Sequence, residues 1–500
     1  MAEDDSRPVV REAGAGRNTV LAFLTQIATG AFTAVLTLYL VRALGPREFG
    51  LFSLAVSIGA LLMLPSDFGI SGSVSRFVAE RYRDRNAVAR LLADGLHLKL
   101  MISGAVSVAL IALAVPVAEA YGEPSLTWPI RWMAIAVLGQ SLVALYRYAF
   151  LAMRDATVGF RIVVGESAVE AAASILLVVG AGGAAAASAG RAIGYGFGTF
   201  LAMAITLRYF GGAAFRRSRR LREARRTLGR YAGALFAIDA AFAASVQMAP
   251  LMIGGFFGAR EVGLFQAPSR LILLLQYPGV SLANGVAPRM ARSEDHEPET
   301  HLLVSALRYL ILFQALIVAP VVVWSEPLVS LTLGSGYERS AELLRQMAPY
   351  VFVSGLAGVL SASVNYLGEA RRRVPIAVAE VTLTAVLTAV LLPTIGLEGA
   401  AWAANVVSVS YVLVHIWVVR KLVEFPLRPL ALATLRGLLA AAAAGGVLLL
   451  FGTSDLAAWE WIAGGAGALV AFLGTIVVLG EVSLAQLAAA PGLVTTRLRR

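Results

Sequence analysis

The sequence predicts an all-α polytopic membrane protein of about fourteen transmembrane helices, arranged as two parallel-repeat six-helix lobes plus two C-terminal helices. Three observations predict it. The 500 residues are 58% hydrophobic and only 15% charged, against about 25% charged in an ordinary globular protein. The apolar residues come in recurring runs of about 20, the length at which a helix crosses a hydrocarbon core, and not in the ten-residue alternation of a barrel. One motif recurs 213 residues after its first appearance.

Gly, Pro and charge punctuation divides the apolar runs into fourteen. The first two, Asn18 to Val41 and Phe49 to Ser73, are separated by Gly45-Pro46. A charged stretch ending near Arg90 precedes Leu96 to Val117, and Gly122 to Pro124 precedes Trp128 to Met153. Arg154-Asp155 introduces Val158 to Val179, and Gly182 introduces Gly183 to Leu207. After an arginine-rich stretch, Tyr231 to Phe257 and Val262 to Val286 flank Gly258. Then come Leu302 to Trp324, Leu343 to Leu367, Val374 to Leu392 and Ala400 to Val419. Leu430 to Phe451 and Trp459 to Leu479 close the series. The polar segment Met1 to Arg17 lacks the apolar core of a removable signal peptide, so the first run is expected to act as its own insertion signal.

Lys and Arg set the orientation. With a cytoplasmic N-terminus, 34 of the 42 basic residues fall in inner segments, 7 in outer ones, and Arg270 lies within a span. One missed helix would invert every later loop, so the asymmetry supports the even count and places both termini in the cytoplasm. The net charge of +11 is then explained by inner-loop arginines over anionic lipid rather than by nucleic acid. Six of the seven Trp residues lie near predicted outer ends, as an interfacial belt places them.

The repeat runs from Gly45-Pro46-Arg47-Glu48-Phe49-Gly50-Leu51-Phe52 to Gly258-Ala259-Arg260-Glu261-Val262-Gly263-Leu264-Phe265. At the same offset, 11 of the 33 positions from Leu44 to Arg76 are identical without a gap, Pro65 and Pro278 among them. An even number of helices between copies keeps their orientation, which makes the repeats parallel. The expected organisation is an N-lobe over residues 1–207, a basic linker over 208–230, a C-lobe over 231–420, and two further helices with a tail over 421–500. The linker reads as a topology-setting segment on anionic headgroups, or as a specific headgroup site.

The chain has no cysteine, so disulfides, thiolate metal sites and cysteine nucleophiles are excluded. No phosphate-cradling loop or His-Glu-x-x-His motif is present. His296 and His301, in an acidic loop with Glu294, Asp295, Glu297 and Glu299, lack the spacing of a two-His helical metal site and read as solvated. No metal, cofactor or enzymatic activity is expected.

Ionisable groups within spans cost roughly 2.5–3.5 kcal/mol each on insertion scales and mark candidate sites. Arg270, between Pro268 and Pro278, reads either as an anion ligand or as half of a structural pair with Asp239. Glu166 and Glu170 share one face of the fifth run, Asp67 lies in the inner part of the second, and Glu380 follows Arg373 by seven residues. Asp239, Glu170, Glu166 and Asp67 are candidate ion-coupling groups or structural pairs. Arg76 and Arg289, equivalent in the repeat, read as ordinary inner-end arginines or as a substrate-binding pair at a cavity mouth. Pro65 and Pro278 loosen their helices and are candidate hinges or static kinks.

The stretch Leu38 to Ser53 with its Gly-Pro-Arg-Glu-Phe-Gly-Leu-Phe core resembles the first two helices of polysaccharide biosynthesis proteins of the Wzx-like oligosaccharide flippase family. Ser66-Asp67-Phe68-Gly69-Ile70, Arg76-Phe77-Val78-Ala79-Glu80 and Gly396-Leu397-Glu398-Gly399-Ala400-Ala401-Trp402-Ala403 add to the resemblance. That family belongs to the multidrug/oligosaccharidyl-lipid/polysaccharide exporter superfamily. Where many members carry an acidic then a basic residue before the Ile-Gly of the seventh helix, this chain has Ala249 and Pro250, so that ionic contact does not transfer. The resemblance implies a flippase of the cytoplasmic membrane that moves a polyprenyl-diphosphate-linked saccharide between leaflets by alternating access. The inner-loop arginines point to anionic membrane lipids as partners, and the resemblance adds a polysaccharide polymerase or glycosyltransferases. Ion-coupled export of a drug or small metabolite is the alternative, and a non-transporting scaffold a third class that would leave Arg270 without a role.

Overall fold

A computed structural model describes residues 15–216, 240–241, 243–291 and 297–483 of the chain. Asp239, His296, the linker arginines from Arg217 to Arg230 and the C-terminal arginines lie outside the described residues. Every regular element described is helical. The chain is a multi-pass membrane protein: ten described helices are long and apolar enough to cross a bilayer, and a bent pair makes an eleventh.

Over their described residues the predicted runs are mainly helical, with the second interrupted at Phe68–Gly69, the eighth at Gln276 and the tenth at Met347, where one helix gives way to the next. The first two share α1 (Ala15–Asp67), which is broken only at Gly45, where φ is 68° and ψ 174°. There follow α2 (Ile70–Glu80), α3 (Arg85–Ala120), α4 (Thr127–Ala152), α5 (Ala156–Ala181) and α6 (Gly183–Phe210). The Gly and Arg content of α6 keeps it out of the ten. A shorter apolar helix, α7 (Ala243–Phe257), covers the described part of the seventh run. The eighth is divided into α8 (Ala259–Leu275) and α9 (Tyr277–Val286), and the two parts meet at 43°. Next come α10 (Thr300–Val323), the short α11 (Ser325–Leu333) and α12 (Glu338–Gln346), then α13 (Ala348–Tyr366). The last four are α14 (Arg373–Ile395), α15 (Leu397–Leu422), α16 (Arg428–Leu450) and α17 (Ala458–Val478).

The repeat is present in the backbone. Gly45 and Gly258, equivalent at the offset of 213, both have φ in the left-handed region, 68° and 86°, where a side chain is strained. The tight turns before α6 and α15 use Gly182 at 70° and Gly396 at 72°. The glycines after the first pair bring helices together. A Cβ at Gly50 would land on the Ala259 carbonyl oxygen, and one at Gly263 would land on the Pro46 carbonyl oxygen. Because Pro46 is equivalent to Ala259 and Gly50 to Gly263, the second half of α1 crosses the start of α8 through matched contacts.

The proline breaks are less alike than the sequence implies. Pro65 is inside α1, which ends two residues later where Phe68 and Gly69 adopt φ of 42° and 68°. Pro278 stands in the first turn of α9, just after the break. The bend therefore follows the proline in one copy and precedes it in the other.

The chain divides into two compact units, Met1–Gln266 and Ala267–Arg500. In the first, α4 packs on α1, α2, α3 and α6, and α5 packs on α6 and α1. Its core includes Val74, Leu92, Leu145, Tyr146 and Phe150. In the second, α10 packs on α13 and α16, α14 on α15, and α16 on α17. The last two helices are thus held on α10, with Trp324 donating its indole N–H to the Gly452 carbonyl at 3.0 Å. Leu176, Val179, Leu450, Ile462, Val470 and Val478 project outward. Apolar side chains on helix exteriors are what a lipid solvent permits, since lipid is as apolar as leucine.

Candidate functional site

Among the described residues, three groups of charged side chains are drawn together within the units. The first is at the end of α1. Asp67 accepts a hydrogen bond from the Ser71 hydroxyl at 2.6 Å and from the ammonium of Lys99 on α3. Lys99 is completely buried and also donates to the Ser141 carbonyl at 3.0 Å and hydroxyl at 2.9 Å on α4. Ser103 lies 2.7 Å from the Ser141 hydroxyl and donates at 2.8 Å to the Ser66 carbonyl. That carbonyl is in the last turn of α1, where helix geometry leaves it without a partner. The network therefore joins three helices and satisfies the backbone at the break, so that Asp67 and Lys99 neutralise each other inside the bundle.

The second cluster is built by a small-residue face. On α6, Gly190 lies against Ser174, Gly194 against Glu170 and Gly198 against Glu166, all on α5. Spaced four apart, these glycines form one stripe of α6 and let the two backbones approach closely. The approach buries both glutamates, at 7% and 9% exposure. Glu170 accepts a hydrogen bond at 2.7 Å from Arg191, whose guanidinium also donates to the Tyr195 hydroxyl at 3.2 Å and lies over its ring. Glu166, one turn away, has no hydrogen-bonded or ion-paired partner among the described residues. The charges that act on it are those of Glu170, Arg147 on α4 and Arg191.

The third cluster is in the second unit. Glu481, past the end of α17, has a side chain only 1% exposed and pairs at 2.7 Å with both Arg308 of α10 and Arg436 of α16. It fastens the segment just after α17 to two helices and so stabilises the packing of α16 and α17.

The remaining predicted residues are not gathered into one place. Arg270 is half-buried on α8 and is engaged by a neighbour. Asp239, its expected partner, is outside the described residues. Arg76 pairs with Glu80 one turn on at 3.3 Å, and Arg289 with Glu299 at 3.3 Å. Both pairs are exposed arginines near helix ends. Sequence reasoning missed Lys99, Arg191, Arg308, Arg436 and Glu481 because it treated them as loop or end residues. For Lys99 a signal existed: it is one of two lysines in a chain whose other basic residues are all arginine. Among the described residues no group of three or more His, Asp or Glu could hold a metal ion.

A family described as "Polysaccharide biosynthesis protein" matches residues 15–294, more than half of the chain. A search of curated proteins by sequence finds no match. Among solved structures, "Lipid II flippase MurJ, inward closed conformation" superposes with a TM-score of 0.72 at 13% identity, over 93% of this chain and 99% of that one. The MATE multidrug transporter DinF-BH, solved as a complex, follows at 0.60 and 15%, over 84% and 98%. An inward-facing multidrug resistance MATE family transporter of the MOP superfamily gives 0.57 and 14%, over 79% and 98%. At these identities the likeness is one of fold.

Proposed function

From the premise that this chain belongs to the polysaccharide biosynthesis protein family, we propose that it translocates a polyprenyl-diphosphate-linked saccharide across the cytoplasmic membrane. The family match carries the reading, and the fold shared with a lipid II flippase and with MATE transporters supports membrane transport as its class. Saccharide and diphosphate need a wet, cationic route through the protein, while the prenyl chain stays in lipid. In this reading residues 1–207 and 231–420 act as two lobes, joined by the basic linker over 208–230, with both termini in the cytoplasm. Residues 421–500 form an accessory pair of helices and a tail.

Arg270 serves as a cavity-facing anion ligand, because a guanidinium offers a diphosphate a two-toothed donor. Arg76 and Arg289 make the first contacts with the headgroup on the cytoplasmic side. Both arginines are exposed at helix ends, where a guanidinium can present its N–H fork to a phosphate. Pro65 and Pro278 serve as the hinges, each beside a helix break.

Depletion of the protein, followed by analysis of lipid-linked saccharides, tests the reading. Accumulation of one saccharide-diphosphate-lipid on the inner leaflet is expected. An unchanged lipid pool together with lost tolerance to cationic compounds would support drug export instead.

A further inference from the structure

We propose that Glu166 is a reversible proton-binding site of the first unit, the group through which a proton gradient acts on this transporter. The inference deepens the transport reading given above, since a gradient can act only on a protein that changes conformation across a membrane.

The sequence places Glu166 and Glu170 one turn apart on the same helix face. The geometry separates them. Glu170 has a 2.7 Å contact with Arg191, so its negative charge has a partner at hydrogen-bond distance and need not be removed. Glu166 is only 7% exposed, and no donor among the described residues reaches it. An ionised carboxylate without a hydrogen bond carries a desolvation cost of several kcal/mol. A proton removes that charge in place.

Its position also suits exchange. Glu166 is the eleventh residue of the 26-residue α5, about 15 Å along the helix by the 1.5 Å rise, which is near the middle of a span. Gly198 is what makes the room: its missing Cβ would meet the Glu166 side chain at 3.0 Å. Around the carboxyl stand Glu170 on its own helix, Arg147 on α4, and Arg191 and Tyr195 on α6. On α1, which also packs on α5, the charged groups are Arg17, Arg42, Arg47, Glu48 and Asp67, and none of these is among the charges acting on Glu166. Arg147 is exposed and Arg191 partly so, which gives the cluster contact with its surroundings. In the exchange a water-borne proton bonds to a Glu166 oxygen, giving the neutral acid, and the reverse step returns it to water with the carboxylate restored. With the proton gone, Arg147 and Arg191 offset the charge without touching it.

Infrared difference spectroscopy on the full-length protein in lipid, titrated with pH, reads this without any cargo. Its outcome is therefore separate from the saccharide assay. The protein should show the C=O band of a buried protonated carboxylic acid that declines as pH rises. Glu166→Gln should remove that band, and Glu80→Gln, at an exposed site, should leave it. A band unchanged in Glu166→Gln, or no pH-dependent band at all, overturns the proposal. Should Glu166→Gln fail to insert, Glu166→Asp decides: a shifted band supports the assignment and an unmoved one overturns it.

Discussion

Lys99 shows how a single side chain can hold a break in a membrane helix. Its ammonium has three protons, and Asp67, the Ser141 carbonyl and the Ser141 hydroxyl receive them, so no donor is left over. Arginine, with five donors in a flat fork, would not fit so small a cage. Lys99→Ala leaves Asp67 without its counter-ion and opens a void. Breaking a buried pair in this way costs about 3 kcal/mol, toward the lower end because Asp67 is partly exposed. Thermal unfolding in detergent should show a clear loss for Lys99→Ala and a smaller one for the double change Lys99→Met with Asp67→Asn, which removes both charges together. Arg270 is a different case, because its expected role is with cargo. Arg270→Ala should abolish flipping while the melting temperature stays near that of the parent, and Arg270→Lys should keep part of the activity by keeping the charge. Reconstituted flipping measured beside the melting temperature separates the outcomes: a parallel fall in both would make Arg270 a structural residue. The sequence could single out Arg270, an isolated charge in an apolar run. It could not single out Lys99, because a charge near the start of a run looks like an inner-loop residue until the helix is seen to extend back to Arg85.

Helices in this protein meet through glycine, and the sequence exposes only part of that pattern. The repeated Gly50 and Gly263 were visible as identities, but the reason for them lies in the crossing, where each helix presents a Cα to the other's carbonyl. Since the contacts are matched, Gly50→Ala and Gly263→Ala should act alike. Each forces a methyl into a backbone oxygen and should cost about 1–3 kcal/mol of overpacking, unless the helices separate. Equal losses of melting temperature in the two variants are expected. A large effect in one alone would deny the symmetry. Between α5 and α6 the stripe of Gly190, Gly194 and Gly198 behaves likewise: its four-residue spacing is readable, whereas the burial of the two glutamates beneath it is not. Nor could the sequence place the breaks. Equal prolines at Pro65 and Pro278 suggest equal kinks, yet a proline only frees backbone groups, and the neighbouring residues decide where the helix ends. In the first copy Gly69 supplies the left-handed turn after the proline, and in the second its equivalent is Leu282, which continues α9.

At the scale of the whole molecule, the fold class was legible because membrane solvation leaves few alternatives: apolar runs of this length must be helices, with their backbone hydrogen bonds made internally. The division into helices was less so. Continuity of α1 through Pro46 is possible because only Gly45 leaves the helical region, which no apolar run reveals. Sidedness, by contrast, depends on charge alone. The natural absence of cysteine allows single cysteines to be introduced without a background. Arg47 stands beside the Gly45 break and forms a 2.8 Å pair with Glu123, whereas Arg219 belongs to the basic linker. If 34 of the 42 basic residues mark the cytoplasmic face, Arg47→Cys should label with an impermeant thiol reagent added outside intact cells. Arg219→Cys should label only after the membrane is opened. The bare guanidinium excess explains why: translocating the linker would move many arginines away from anionic lipid and against the membrane potential, about 2.3 kcal/mol per charge per 100 mV. Labelling of both cysteines from the same side would mean that an odd number of spans had been missed between them, and the parallel relation of the two copies would fall with the count.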